Sequence, residues 1–269
     1  LTLLFTACKK DETKVVFEGG TAPVLSASST APLVLKNENR NDLALALSWT
    51  NPNYQFNTGA SSQDVDYTVQ VDTLGTNFSS AGMQEKVVAN NLSWSLTVKE
   101  LNSFLSKMEL KAGVEYNVQI RLKSALKSGA AALYSNILNI KITPYLDFAV
   151  EPPGTAAANY ADGTLWAIGD AFASGWSNPM GAPYDVSQKF TRVDVLHYEL
   201  VVNFNASGYY KLIQTQGVWG TQYHALDPAD PRSGSFEKRD ADPAFKSPGA
   251  GMYKIQVNFQ TGKYTLTPQ

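Results

Sequence analysis

VEYNVQIRL, residues 114–122, places Val114, Tyr116, Val118, Ile120 and Leu122 on every second position, with mostly polar residues between them. A period of two is the repeat of a β-strand with one buried face, whereas a helix would space its apolar residues three and four apart. The same alternation recurs in Leu43, Leu45, Leu47 and Trp49, and in Val65, Tyr67, Val69 and Val71. It returns in Leu92, Trp94, Leu96 and Val98, and in Leu138, Ile140 and Ile142 before Pro144. Five strands with one apolar face each imply two sheets packed face to face, an immunoglobulin-like sandwich. One stretch breaks the rhythm. Thr97-Val98-Lys99-Glu100 has the spacing of a capping box, which predicts a short helix over 98–107.

Residues 145–163, YLDFAVEPPGTAAANYADG, mix Pro, Gly, Ala and Asn and read as an inter-domain linker. Strands then resume at 165–168, 197–204, 209–214, 252–259 and 263–267, the last two joined by a tight Gln260-Thr261-Gly262 turn. The expected chain is all-β, with two immunoglobulin-like β-sandwich domains in tandem. Residues 1–21 form a signal and tether, 22–144 the first domain, 145–163 the linker and 164–269 the second domain.

A length of 269 residues with 43% hydrophobic content supports two such cores. The 22 basic and 24 acidic residues give a net charge of −2, so the basic face of a nucleic-acid binder is missing. His197 and His224 lack metal-ligand spacing, and neither a zinc-protease, a serine-hydrolase nor a phosphate-loop motif is present. Asp227, Asp230, Asp240 and Asp242 lie in the Pro-rich stretch 227–243 without a calcium-loop pattern, so a solvated loop is expected there. No metal, cofactor or catalytic residue is therefore predicted. Glycoside hydrolysis stays as an alternative, because it needs only two carboxylates at the right separation.

The single cysteine, Cys8, excludes an internal disulfide. It follows a short apolar run in LTLLFTACKKDE, which reads as the back half of a secretory signal truncated at its start. Phe5-Thr6-Ala7-Cys8 resembles a bacterial lipobox, and Lys9-Lys10-Asp11-Glu12 resembles the export tag of surface lipoproteins. The resemblance implies a lipidated Cys8 anchored in outer-membrane lipid and exposed at the cell surface. Each buried acyl methylene contributes about 0.8 kcal/mol to such anchoring.

GDAFASGWSNP, residues 169–179, sets Trp176 among turn-forming residues, so it is either a plug folded onto the core or an exposed recognition surface. In YYKLIQTQGVWG, residues 209–220, a hairpin pairing Leu212 with Val218 and Lys211 with Trp219 would turn Lys211 and Trp219 outward together. An exposed aromatic ring can lie against the C–H face of a sugar, while a lysine supplies hydrogen bonds to its hydroxyls. Trp49, Trp94 and Trp166 are assigned to structure.

LWAIGDAFASGWSNP, GYYKLI followed by WG, and GMYKIQVNFQTGKYTLTP resemble the C-terminal carbohydrate-binding modules of the SusE/SusF starch-binding outer-membrane lipoproteins. TVKELNSFL and NIKITPY resemble their immunoglobulin-like N-terminal domain. The resemblance implies a non-catalytic protein whose single sugar site is formed by Trp176, Lys211 and Trp219. It implies a polysaccharide or oligosaccharide ligand, with an α-glucan such as starch favoured, and a TonB-dependent transporter complex as partner. Beside it stand a structural lipoprotein of a glycan-uptake complex and a binder of a different polysaccharide.

Overall fold

Alternation in the sequence becomes alternation in burial. The computed structural model describes residues 14–269 apart from residues 62, 63, 221, 228 and 241; Cys8 lies outside the described residues. The chain divides into two compact units. One comprises the described part of Leu1–Phe104 with Gly113–Tyr145, the other Leu105–Ala112 with Leu146–Gln269.

In the first unit, Leu25–Ala27, Leu43–Trp49 and Ser93–Thr97 form one sheet. A second runs in the order Leu33–Val34, Leu138–Thr143, Tyr116–Leu126, Val65–Thr73, Gln84–Ala89, with Leu133–Tyr134 added to Tyr116–Leu126. Antiparallel register sets Ile120 opposite Val71 and Leu122 opposite Val69, so all four share the inner face, where each is at most 1% exposed. Burial of each such side chain contributes about 1.5–3 kcal/mol. From the other sheet Trp49 meets Tyr67 at 5.6 Å between ring centroids, closing the sandwich. At the strand ends the same phase is exposed, at Leu43, Leu92 and Val114.

The second unit contains one continuous sheet. Its order is Trp166–Ile168, Tyr209–Ile213, Gln222–Ala225, Ser233–Lys238, Lys263–Pro268, Gly251–Asn258, His197–Phe204, Thr191–Arg192, with Phe245–Lys246 added to Tyr209–Ile213. Four strands separate Tyr209–Ile213 from His197–Phe204 in that order, yet the rings of Tyr210 and Phe204 lie 5.4 Å apart. The sheet therefore folds over on itself, and its two halves enclose one core. The all-β expectation is borne out, with the layers of this unit joined by hydrogen bonding.

Three details differ from the expected elements. Within the stretch read as a linker, Leu146, Phe148 and Val150 alternate and pack on the second core, and the Ala149 N–H donates to the carbonyls of Phe259 and Gln260. The solvated loop expected over 227–243 contains the strand Ser233–Lys238, whose Phe236 is 1% exposed. The hairpin expected over 209–220 is replaced by a wider one. Leu212 faces Tyr223 and Ile213 faces Gln222, while Val218 sits 43% exposed in the connecting loop. Tyr223 fills the core position expected for Val218, and the larger ring buries more apolar surface.

The helix Val98–Lys107 forms where the capping box predicts it. Thr97 N–H donates to Glu100 Oε2 at 2.8 Å, and Glu100 N–H donates to Thr97 Oγ1 at 3.2 Å. Hydrogen bonds from the Thr97 backbone and hydroxyl hold the Glu100 carboxyl below its ordinary range. A depressed carboxyl stabilises the fold above its unfolded-state pKa and ceases to do so as pH falls through its folded-state value. Thr97→Ala should cost about 1 kcal/mol at neutral pH. Urea unfolding should show the gap between wild type and variant narrowing as the pH is lowered through the acidic range.

Candidate functional site

The strand Trp166–Ile168 ends at Gly169, where two backbones come close enough to exclude any side chain. A Cβ on Gly169, whose φ is +154°, would lie 2.1 Å from the Tyr209 carbonyl oxygen. One on Gly208, with φ at +123°, would lie 2.6 Å from the Ala171 nitrogen. Hydrogen bonds use this approach. Asp170 Oδ1 accepts the Tyr209 N–H at 2.7 Å, Ala171 N–H donates to the Tyr209 carbonyl at 3.1 Å, and Asn205 N–H donates to the Ala171 carbonyl at 2.8 Å.

From this anchor the chain makes a closed loop. Phe172 N–H donates to Gly169 O, Gly175 N–H to Phe172 O, and Gly169 N–H to Gly175 O, each at 3.1 Å. The loop turns Phe172 inward, 2% exposed and 4.8 Å from the ring of Phe204. Phe172 is therefore the plug of this stretch. Trp176 emerges one residue past the closure and is 40% exposed.

A second loop meets it. Gly217 N–H donates to Asn178 Oδ1 at 2.6 Å, and Met180 N–H donates to Gln216 Oε1 at 2.8 Å. These bonds tie 178–180 to 216–217 and set Trp219, 37% exposed, beside Trp176. The ring centroids are 6.2 Å apart and the planes are inclined by 46°. Beneath the loops, Ile168, Met180 and Ile213 form a small apolar cluster against which Trp166 and Tyr184 pack.

Of the three side chains expected at the site, the structure brings the two tryptophans together. Lys211 lies on the adjoining sheet face opposite Ile168, one residue before the Gly169–Gly175 bridge. Its ammonium is 3.1 Å from Asp242 Oδ1; the lysine side chain is 13% exposed and that of the aspartate 83%. Asp242 belongs to a segment laid over this face. Arg239 N–H donates to the Gln222 carbonyl, the Gln222 side chain donates to Asp240, and the Pro243 carbonyl meets His224 Nδ1 at 3.0 Å.

The remaining tryptophans are structural. Trp49 is 5% exposed, Trp94 packs edge-on against Phe104 at 5.9 Å, and Trp166 donates its indole N–H to the Asp185 carbonyl at 2.8 Å. Sequence reasoning missed Asn178 and Gln216, whose amides join the loops, and Asp242, read there as a turn former before Pro243. Only the Asn-Pro and Gln-Gly steps flanking the loops hinted at ordered turns.

Substitution tests the clasp. Gly208→Ala should destabilise the protein by at least about 2 kcal/mol, because the backbone cannot yield to the new methyl. Gly181→Ala, where a Cβ meets nothing within 4 Å, should stay within about 0.5 kcal/mol of wild type. Chemical denaturation followed by far-ultraviolet circular dichroism distinguishes the two.

Comparison with known proteins bears on the first unit. The SusE outer membrane protein family matches residues 10–123, a stretch that ends before the Trp176–Trp219 pair. The crystal structure of SusF from Bacteroides thetaiotaomicron is similar at 14% identity and a TM-score of 0.47, over 93% of this chain and 52% of that one. This chain thus spans about half the length of that protein. No curated protein matches the chain. Over residues 10–123, then, this chain is similar to the SusE outer membrane protein family.

Proposed function

We propose that this protein is a non-catalytic glycan-binding lipoprotein of the outer-membrane surface, holding starch or maltooligosaccharide for an uptake system. The observation that carries the reading is the exposed Trp176–Trp219 pair, with planes inclined by 46° at 6.2 Å. Two rings inclined in this way suit neighbouring sugars of a curved chain better than a flat ribbon. The loops holding them are already hydrogen-bonded together, which lowers the ordering cost of binding. A site of two or three sugars binds weakly by itself, and many copies on one membrane raise the effective concentration. The family description supports the outer-membrane location, and Cys8 supplies the proposed anchor.

Affinity electrophoresis in gels containing amylopectin, xylan, pectin or no glycan tests this reading. Amylopectin should retard the wild type. Trp176→Ala and Trp219→Ala should each cost about 1–2 kcal/mol of binding, a five- to thirtyfold loss. Equal migration of the wild type in every gel would leave the interaction-lipoprotein reading, and release of reducing ends during incubation would favour a hydrolase.

A further inference from the structure

The Lys211–Asp242 ion pair has an unequal geometry. Lys211 reaches Asp242 Oδ1 at 3.1 Å, but the lysine side chain is only 13% exposed while the aspartate side chain is 83% exposed. What this pair offers a ligand is mainly carboxylate, with the ammonium as its support. An ionised carboxylate only accepts hydrogen bonds and has about four lone-pair sites, so one lysine contact leaves acceptor capacity facing solvent. Sugar hydroxyls are donors, and charged acceptors bind donors more strongly than neutral ones.

The fold places the lysine of this pair midway along Tyr209–Ile213, between the Gly169 anchor of one tryptophan loop and the start of the other. Lys211 is opposite Ile168, which is followed by the Gly169–Gly175 bridge and then Trp176. On the neighbouring strand Gln222 follows the loop that carries Trp219, and its side chain bonds Asp240, two residues before Asp242. Asp240 and Asp242 put two carboxylates on this border, and of the Lys211–Asp242 pair it is the carboxylate that faces solvent. We propose that Asp242 accepts hydroxyl hydrogen bonds from the glycan, with Lys211 as its positioning residue, and that this border selects neutral glycans over polyuronides. The proposal rests on the glycan-binding reading above. A polyuronide would bring its own carboxylates against Asp240 and Asp242, where like charges repel.

The test compares wild type, Asp242→Ala, Asp242→Asn and Trp176→Ala by isothermal titration with maltoheptaose, and by retardation in amylopectin and polygalacturonate gels. Asp242→Ala should weaken maltoheptaose binding about tenfold, as expected for loss of a charged hydrogen-bonding group. Asp242→Asn, which keeps one acceptor oxygen, should fall between it and the wild type. Polygalacturonate should not retard the wild type. Thermal unfolding should be unchanged in Asp242→Asn, whose amide oxygen still accepts from Lys211, and lowered in Asp242→Ala, which strips a covered ammonium of its counter-ion; a graded loss of binding in both, measured well below unfolding, separates a binding effect from a folding one. If Trp176→Ala loses binding while Asp242→Ala binds as well as wild type, the role of Asp242 is overturned and the tryptophan site stands. Tighter binding by Asp242→Ala would also overturn it, since the carboxylate would then be competing for Lys211. Stronger retardation of wild type by polygalacturonate than by amylopectin would overturn the neutral-glycan selection. If Trp176→Ala binds like wild type, the underlying site assignment fails first.

Discussion

The close approach of two backbones at Gly169 and Gly208 sets what the rest of the second unit can present. With no side chain between them, Asp170 and Ala171 bond directly to Tyr209, and the loop after Ile168 closes within seven residues. Closure at that length sends Phe172 into the core and leaves Trp176 at the surface. A wider separation would lengthen the loop and free Trp176 to fold back as a plug. The contact that decides the exposure of an aromatic ring is therefore made by glycines, an aspartate and the main chain.

Much of the first unit was legible because alternation over a long strand has one solution. Val118, Ile120 and Leu122 can be buried together only by a strand, and the capping box marks the helix start independently. The second unit was harder to read. Gln222–Ala225 is buried at all four positions, so it shows no alternation, and Ser233–Lys238 holds a single large apolar residue among Gly, Ser and charge. Leu146, Phe148 and Val150 do alternate, but the following Pro152-Pro153 and the Ala-rich run disguise them as a connector. The hairpin over 209–220 gave an outward Trp219 from a register that does not form. Its exposure comes instead from a loop, held by side-chain amides whose partners lie 36 and 39 residues away. Local pattern carries no information on contacts of that range.

The proposed sugar site joins two kinds of surface. One is apolar and rigid, a pair of rings whose loops are fastened before any ligand arrives. The other is polar, with Asp242 exposed above a largely covered Lys211. Stacking needs ring faces at a fixed inclination, while hydroxyl recognition needs acceptors within reach of the ring edge. Lys211 lies on the strand between the anchors of the two tryptophan loops, so the proposal has both surfaces act on one short stretch of glycan. In this proposal the two jobs are separable, the rings setting shape and the carboxylate charge preference.

The central claim is that glycan contact is confined to Trp176 and Trp219 among the five tryptophans of this chain. Protein labelled with 5-fluorotryptophan gives one fluorine resonance per tryptophan, assignable by single Trp→Phe variants. On titration with maltoheptaose, the resonances of Trp176 and Trp219 should move together along one binding curve, while those of Trp49, Trp94 and Trp166 stay in place. Unmoved Trp176 and Trp219 resonances at millimolar ligand, or movement confined to the other three, would contradict the account.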